Sequence, residues 1–435
     1  MTPLDYDREK IWHPYAPLGR KAPRVRMADR AEGLEIVLDD GRRLIDAVSS
    51  WWCVAHGHRH PAIVAAMRRQ AERLPHVMFG GFTHGPAVEL AQRLGAIAPS
   101  GLDRVFFADS GSIAVEVAAK MAVQYQNALG RPRRNQFLAL KGGYHGDTSL
   151  CMAISDPDGM HTLFKGVMTR QFFAEKPKSP FGGEWDPSDT ESLARVLEEH
   201  EGEIAAVVCE PVFQAANAMN FYNPRYLAEM RALCDAHGAL LIFDEIAAGF
   251  FRTGPLWAHE RSGIAPDIMT VGKALTGGHM TLAAALASEK VAETISSGRP
   301  SAFMHGPTYM ANPLACAAAC ASLELFEKSD YRENVARIES AFKAGLEPLK
   351  ALPNVRDVRV LGAAAVVEVE RMPARSDIER VIDRHNVWLR PFCNFIYAMP
   401  PLVSDAKTVA RITAALADLA LSKPGPAAQD GDFHE

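Results

Sequence analysis

The chain has 435 residues, of which 48% are hydrophobic and 23% charged, as is typical of a soluble globular protein. Its formal net charge of −5, without a basic block, gives no indication of a nucleic-acid partner. The N-terminus MTPLDYDREKIWHPY has no apolar region typical of a secretory signal, and no apolar run is long enough to predict a membrane helix. The seven cysteines include no CxxC pair, which favours reduced thiols in a cytoplasmic protein.

The N-terminal region predicts a β-hairpin. Residues 34–48 spell LEIVLDDGRRLIDAV, with Asp-Gly at the expected turn. Two adjacent tryptophans follow, and on a strand they would point to opposite faces. On a strand, the three histidines of HGHRHP could also lie on one side as metal ligands. The proline after His60 instead suggests a turn into a helix, so we expect no metal site there.

The middle of the chain predicts a doubly wound α/β domain. Apolar runs alternate with helical patterns from about residue 60 to 325, and runs that are apolar on both faces indicate a mainly parallel sheet. The helix PRYLAEMRALCDAHG begins with Pro and ends with Gly, as a crossover helix should. The expected strands are residues 104–108, 135–140, 204–210, 239–245, 267–273 and 281–288.

Both termini predict a smaller α+β domain. From about residue 331 a long amphipathic helix is followed by short strands such as AAAVVEVE. We expect the N-terminal segment and hairpin (1–58) to join the C-terminal part (329–421), with a large domain over 59–328 between them. The polar, Pro/Gly-bearing residues 422–435 predict a disordered tail.

Polar residues follow three predicted strands, at the edge where open α/β sheets bind ligands. Asp244 is either a functional carboxylate or a structural cap or salt bridge. Lys273, in a glycine-rich loop, would contact a phosphate or act as a desolvated nucleophile. Gly111 and Ser112 open a helix, whose free N–H groups either bind a phosphate or need only a cap. Together these features suit pyridoxal 5′-phosphate.

The surrounding blocks resemble the class III aminotransferases. LLIFDEIAAGFFRTG is followed by VGKALTGG, with Lys273 lying 29 residues after Asp244. FADSGSIAVEVAAKMA, KGGYHGDT and HGPTYMANPLACAAA occur in the family's order, and the resemblance covers about residues 10 to 420. It implies the α/β fold type I of pyridoxal phosphate enzymes, with a large doubly wound sheet domain and a smaller α+β domain. The family block also contains the histidines of GHRHP and needs no metal.

The resemblance assigns the cofactor contacts. Lys273 would form the Schiff base and then serve as acid and base for the 1,3-proton shift. Asp244 would pair with the pyridine nitrogen, and Glu210 at a strand end would support the site or be purely structural. The remaining expected cofactor contacts are Gly111 and Ser112 at the phosphate, Tyr144 stacked on the ring, and Pro307 and Thr308 reaching the phosphate of a neighbouring subunit. That last contact implies a homodimer with shared active sites.

Three further blocks narrow the resemblance to one branch of the family: IWHPYAP, SSWWC and VWLRPFCNFIYAMPPL. That branch uses S-adenosylmethionine to convert 8-amino-7-oxononanoate into 7,8-diaminononanoate, in biotin biosynthesis. Arg390 would grip the substrate carboxylate. The other residues implied for the substrate pocket are Tyr15, Trp51, Trp52, Tyr144, Lys273, Gly306 and Tyr397.

The two tryptophans suit a ping-pong reaction in which two unlike substrates use one pocket. The donor is cationic and carries a flat adenine, which aromatic rings attract by cation–π contact and stacking. The acceptor is an apolar chain, and burying its roughly five methylenes contributes about 4 kcal/mol at ~0.8 kcal/mol each. We therefore expect at least one of Trp51 and Trp52 to face the substrate.

Several alternatives stay open. The donor could be lysine, or the chain could be another class III enzyme acting on an ω-amino acid or amine. A non-catalytic protein that keeps the fold is a further possibility, against which the intact set of cofactor residues argues. Ala248, Phe251 and Cys393 depart from the family pattern and bear on donor choice, and the added ring of Phe251 is expected to narrow the pocket near Arg252.

Overall fold

The computed structural model describes residues 1–216, 219–423 and 425. The chain divides into two compact units: unit 1 consists of Met1–His60 and Ala336–Glu435, and unit 2 of Pro61–Val335. The tail expected at 422–435 lies outside the described residues apart from 422, 423 and 425. Among the described residues, none of the helices combines the length and the apolar character that a membrane crossing requires.

The N-terminal part of unit 1 contains the predicted hairpin. Strands β2 and β3 pair antiparallel, with Gly41 at φ 84° in the turn between them. A further strand, β1, pairs with β2 and was not predicted. The elements are α1 (Pro3–Lys10), β1 (Ala28–Glu32), β2 (Glu35–Leu38), β3 (Arg43–Asp46) and α2 (Ser49–Trp52).

Unit 2 alternates helices and strands as the apolar pattern predicts. The crossover helix α8 begins after Pro224 and ends at Gly238, which has the left-handed φ of 64° that ends many helices. The helices are α3 (Pro61–Arg73), α4 (Gly85–Ile97), α5 (Gly111–Ala128), α6 (Ser149–Ile154), α7 (Glu191–Glu199), α8 (Arg225–His237), α9 (Glu289–Ser297) and α10 (Pro313–Lys328). The strands are β4 (Arg104–Ala108), β5 (Gln136–Leu140), β6 (Phe172–Ala174), β7 (Ile204–Cys209), β8 (Phe213–Gln214), β9 (Asn220–Phe221), β10 (Leu240–Asp244), β11 (Ile268–Val271) and β12 (Ala283–Ala287).

In the described part of unit 2, seven strands form one sheet in the order β4-β12-β11-β10-β7-β5-β6. Every neighbouring pair is parallel except the two pairs that involve β12, which runs antiparallel to both β11 and β4. Strands β7, β10, β11 and β12 are buried along their whole length, and hydrophobic clusters cover the sheet. The fold is therefore α/β with a large, mainly parallel sheet.

The C-terminal part completes unit 1 with a second α+β arrangement. Strand β15 adds to β3 in parallel, so both ends of the chain share one sheet, while β13, β14 and β16 form another. The elements are α11 (Tyr331–Leu346), within which the boundary between the units falls, and β13 (Val355–Leu361), β14 (Ala364–Val369), α12 (Arg375–His385), β15 (Val387–Trp388), β16 (Phe395–Ala398) and α13 (Ala406–Ala420).

Candidate functional site

In unit 2, Asp244 and Lys273 lie at the carboxyl ends of neighbouring strands. Asp244 is the last residue of β10 and pairs in register with Thr270 of β11. Lys273 follows β11 by two residues and is half-buried, with a φ of 45°. The sheet therefore brings the two ends together at one edge, as the parallel strand order predicts.

Asp244 is 4% exposed and is held by three donors. Its Oδ2 lies 2.8 Å from Nδ1 of His145, which is equally buried. Its Oδ1 accepts hydrogen bonds from the Ile246 N–H at 3.1 Å and the Thr270 hydroxyl at 3.3 Å. Burial disfavours the imidazolium form of His145, but the hydrogen bond and charge of Asp244, with the charge of Glu210, raise the pKa of His145 above its ordinary value.

Glu210 is a second buried carboxyl beside this pair. Its Oε2 accepts a hydrogen bond from the Tyr144 N–H, and its Oε1 accepts one from the Ala215 N–H, both at 3.0 Å. Burial raises the pKa of Glu210 to about 7, and the negative charge of Asp244 adds to the rise. Glu210 therefore fixes the loop that carries Tyr144 and His145.

Gly111 and Ser112 are the first residues of the 18-residue helix α5. The first turn of α5 holds no acidic residue, and Ser110 before it makes no side-chain cap, so the N–H groups at this end suit an anion. Gly146 packs so closely here that a Cβ would lie 1.9 Å from Ser112 Oγ. Gly111 packs against Ile246, two residues after Asp244, where a Cβ would lie 3.1 Å from the isoleucine side chain.

Tyr144 lies half-buried in the loop that Glu210 holds. Its hydroxyl donates to Asp147 Oδ1 at 3.0 Å, and its ring stacks on His161 with centroids 5.9 Å apart. His161 Nε2 lies 2.9 Å from the same carboxylate oxygen. The ring is thus oriented from both its edge and its face.

The loop at Gly306, Pro307 and Thr308 belongs to unit 2 and lies at its surface, with Gly306 and Thr308 exposed and Pro307 half-buried. Next to it, Tyr309 is 59% exposed and its ring contacts His76 at 4.7 Å. Further large apolar side chains exposed in the adjoining segments are Met78, Phe82 and Met304.

In unit 1, an aromatic cluster forms around Trp51, which is 41% exposed. The Arg390 guanidinium lies over the Trp51 ring at 5.0 Å, and Tyr15 meets the ring edge-on at 6.3 Å. This arrangement combines a cation with two aromatic faces. Trp51 and Arg390 also line a cavity of about 380 Å³ within unit 1.

Trp52 points the other way, into the core of unit 1. It is 8% exposed and meets the ring of Tyr397 edge-on at 6.3 Å. Burial raises the pKa of Tyr397 to about 12, so its phenol stays protonated. The structure thus brings together Tyr15, Trp51 and Arg390, and separately Trp52 and Tyr397.

The backbone that carries the two tryptophans is not a strand, contrary to the arrangement considered from the sequence. Residues Ser49 to Trp52 form a left-handed turn, α2, in which all four φ values lie between 47° and 72°. The opposite directions of the two rings therefore come from this turn and not from strand alternation. No residue of the turn is a glycine, so the sequence carries no signal for it.

The ring of Phe251, which was expected to narrow the pocket near Arg252, lies in an aromatic cluster. Its ring packs against Phe326 and Tyr331 within unit 2, with centroids 5.7 and 5.8 Å apart, so it fills an aromatic cluster of helices α10 and α11. Cys393 lies exposed in a turn with a φ of 50°, and Ala248 is buried. His58 pairs with Asp46 at 2.9 Å, and within the described residues no group of three or more potential ligands is placed to hold a metal ion.

The sequence did not reveal the pairs that two buried carboxyl groups form with histidines, Asp244 with His145 and Asp46 with His58. His145 follows Tyr144 directly, but nothing in the spacing shows that it meets Asp244, 99 residues away. Asp46 was not singled out either, although it is fully buried and bonded to Ser50 and His58. The position of His145 directly after the predicted site residue Tyr144 is the signal that the sequence offered for it.

Comparison with known proteins gives consistent matches over nearly the whole chain. The model of the family described as aminotransferase class-III matches residues 18–419. The adenosylmethionine-8-amino-7-oxononanoate aminotransferase of Mycobacterium leprae is 47% identical over 422 residues, covering 95% of each chain. A crystal structure of the enzyme of that name from Methanocaldococcus jannaschii has a TM-score of 0.88 at 31% identity, covering 95% of this chain and 97% of that one. The omega transaminase of Pseudomonas jessenii in complex with PMP has a TM-score of 0.87 at 27% identity, covering 97% and 98%.

Proposed function

Because the chain belongs to the class III aminotransferases, a family that depends on pyridoxal 5′-phosphate, we propose that it moves an amino group from S-adenosylmethionine to 8-amino-7-oxononanoate, which gives 7,8-diaminononanoate for biotin biosynthesis. The relatives named for this reaction support the proposal over 95% of the chain. The fold by itself does not select the substrate, because omega transaminases share it.

The residues at the strand ends of unit 2 fit the cofactor. Asp244 has spare acceptor capacity beyond its bonds to His145, Ile246 and Thr270, so it suits a protonated pyridine nitrogen. The bare N–H groups of Gly111 and Ser112 suit a phosphate, and the space that Gly146 leaves lets its loop close over them. We assign Tyr144 to the face of the ring and Lys273 to the covalent attachment.

When bound, the cofactor would supply an electron sink that acidifies the carbon bearing the substrate nitrogen. We assign Lys273 to carrying a proton between the two carbon atoms that exchange it, which its position after β11, at the edge where Asp244 ends β10, supports. We assign Asp244 to holding the pyridine nitrogen in a fixed position that is shielded from water. His145 and Thr270 keep the carboxyl oxygens of Asp244 oriented.

The observation that carries the substrate assignment is the cluster of Tyr15, Trp51 and Arg390 in unit 1. Its aromatic faces suit the sulfonium and adenine of the donor as well as the methylenes of the acceptor. The guanidinium of Arg390 suits the carboxylate. Trp52 and Tyr397 are buried behind this cluster in unit 1, so we propose that they support it from the core.

We further propose a cytoplasmic homodimer with shared active sites, in which Pro307 and Thr308 reach the phosphate bound by the neighbouring subunit. The exposed apolar side chains around this loop, among them Tyr309 and Met304, support an interface there, since monomers rarely expose such groups together. Sedimentation of the holoenzyme at two concentrations is expected to give a dimer, and a monomer would contradict the proposal.

The substrate proposal is tested by measuring 7,8-diaminononanoate formed from 8-amino-7-oxononanoate with one donor at a time: S-adenosylmethionine, lysine, alanine or an ω-amine. We expect kcat/KM with S-adenosylmethionine to exceed that with each other donor by about a hundredfold, because only this donor offers a sulfonium and an adenine to the aromatic cluster. Preference for lysine would correct the donor alone. Turnover of ω-amines without any reaction of 8-amino-7-oxononanoate would overturn the proposal.

A further inference from the structure

The left-handed turn α2 that carries Trp51 requires an outside constraint. A residue other than glycine loses about 1–2 kcal/mol in this conformation, and here four such residues adopt it in succession. Strain of this kind persists only where the surroundings hold the backbone in place. Contacts outside the turn must therefore hold its backbone and, with it, the ring of Trp51.

Asp46 provides the contact next to Trp51. Its side chain is fully buried at the end of β3, and its Oδ2 accepts a hydrogen bond from the Ser50 hydroxyl at 2.7 Å. The same oxygen lies 2.9 Å from Nε2 of His58. One carboxylate oxygen thus joins the second residue of the turn to a histidine that lies eight residues further along the chain.

Both anchors of this contact are fixed by sheet hydrogen bonds. Asp46 ends β3, which lies between β2 and β15. The backbone of His58 exchanges hydrogen bonds with Gly33 at 2.6 and 3.2 Å, and a Cβ on Gly57 would lie 2.8 Å from the Gly33 carbonyl oxygen, so only glycine permits this approach. The carboxylate is therefore a rigid reference point for the turn.

The first residue of the turn, Ser49, is held by contacts with Met399. The Ser49 hydroxyl donates to the Met399 carbonyl at 2.7 Å, and the Met399 N–H donates to the Ala47 carbonyl at 2.8 Å. These contacts lie before Ser50 and do not reach the residue adjacent to Trp51. The other carboxylate oxygen, Asp46 Oδ1, is buried and accepts no hydrogen bond from the described residues, which lowers the stability of the fold. We expect such a cost at a residue whose role is to hold neighbouring residues in a functional arrangement.

We propose that Asp46 is a positioning residue: through Ser50 and His58 it fixes the left-handed turn, holds the ring of Trp51 beneath the guanidinium of Arg390, and so sets the affinity for the acceptor carboxylate. This inference rests on the substrate roles proposed above for Trp51 and Arg390. It assigns to Asp46 an effect on KM and none on the chemical step, because Asp46 is buried and bonds to the turn.

A double-mutant cycle on the holoenzyme tests the inference with Asp46→Asn, Trp51→Ala and the combined variant. At saturating donor, we expect Asp46→Asn to raise the KM for 8-amino-7-oxononanoate about tenfold with kcat changed less than about twofold. In the combined variant the KM should equal that of Trp51→Ala alone, because the route through the ring is already lost. Asp40→Asn, on the exposed hairpin turn of the same unit, is the control and should leave both constants unchanged.

The outcomes separate this inference from the proposed function. If Trp51→Ala raises KM and Asp46→Asn adds its full effect on top, Asp46 does not act through Trp51 and only this inference is overturned. If Trp51→Ala changes neither constant, the substrate role of Trp51 fails and the inference fails with it.

Ser50→Ala and Ser50→Gly keep the test valid if Asp46→Asn does not fold, since Ser50 is exposed and its substitution leaves Asp46 paired with His58. Both variants remove the hydroxyl that reaches Asp46, and glycine in addition tolerates the φ of 47°. We expect both to raise KM severalfold with kcat retained. A wild-type KM in both variants would overturn the inference.

Discussion

His145 Nδ1 lies 2.8 Å from Asp244 Oδ2, and both side chains are buried. A buried carboxylate that is charged needs such a partner, because desolvation costs several kcal/mol per ion without one. His145 is therefore the buried partner that Asp244 meets at the end of a strand that is apolar along its length. The electronic tuning proposed for Asp244 depends on this neighbour as much as on Asp244 itself.

The first prediction concerns this pair. His145→Gln should raise the Kd of pyridoxal phosphate about tenfold and lower kcat at saturating cofactor, because Asp244 loses its imidazole partner and is held less firmly. Absorbance titration of the apoenzyme gives the Kd. His200→Gln, on a histidine that pairs with Glu203 at the surface, is the control. Equal affinity in wild type and His145→Gln would show that Asp244 does not rely on His145.

Lys273 provides the most direct test of the cofactor assignment. Lys273→Ala should lower the rate at least about a thousandfold, since it removes both the covalent attachment and the proton carrier. Lys328→Ala, at an exposed residue of α10, should retain full activity. Borohydride reduction of the wild-type holoenzyme followed by peptide mapping should place the cofactor on Lys273, and a label on another lysine would refute the assignment.

A substitution of Gly146 tests whether its close approach to Ser112, at the start of α5, is needed for the proposed phosphate site. Gly146→Ala should weaken cofactor binding at least about tenfold and lower the Tm, because a Cβ would lie 1.9 Å from Ser112 Oγ and 2.6 Å from Ser112 Cβ, and because the φ of 123° suits glycine. Gly166→Ala meets nothing within 4 Å and serves as the matched control. Cofactor titration gives the Kd, and thermal melting gives the Tm. A Gly146→Ala variant that binds the cofactor normally would show that this close approach is dispensable.

Glu210 predicts a pH dependence of stability. Burial raises its pKa from 4.5 to about 7, so between these values the folded protein holds a proton that the unfolded chain has released. Stability must then fall as the pH rises through this window, by roughly 3 kcal/mol at ~1.36 kcal/mol per unit of pKa. Urea unfolding of the apoprotein from pH 4.5 to 7.5 should show the decline in wild type and a flatter curve in Glu210→Gln. Parallel curves would mean that Glu210 does not titrate there.

The two tryptophans should respond differently to truncation. Trp52→Ala removes a buried ring from unit 1 and should lower the free energy of unfolding by about 3–5 kcal/mol. Trp51→Ala removes a ring that is 41% exposed and should leave the Tm within a few degrees of wild type. Thermal melts of both variants check this, and a large loss of stability in Trp51→Ala would place its ring in the core instead.

The α/β fold was predictable because buried parallel strands produce continuous apolar runs. The runs at 204–210, 239–245 and 267–273 became β7, β10 and β11, and the residues that follow them lie at one edge of the sheet. What the sequence did not reveal were contacts that depend on tertiary placement. Asp244 with His145 and Asp46 with His58 are ordinary polar pairs at unremarkable spacings, and four ordinary residues from Ser49 to Trp52 adopt a conformation that their side chains disfavour.

The reversed direction of β12 has a consequence for the segment that carries Lys273. A parallel successor to β11 would require the chain to leave this edge and cross the sheet, whereas an antiparallel one returns at once. Val271 and Ala284 are paired across the two strands, roughly 5 Å apart. The segment 272–283, which carries Lys273, is therefore fixed to the sheet at both of its ends. We expect a chain insertion between these ends to displace the amine while the strand pairing stays intact.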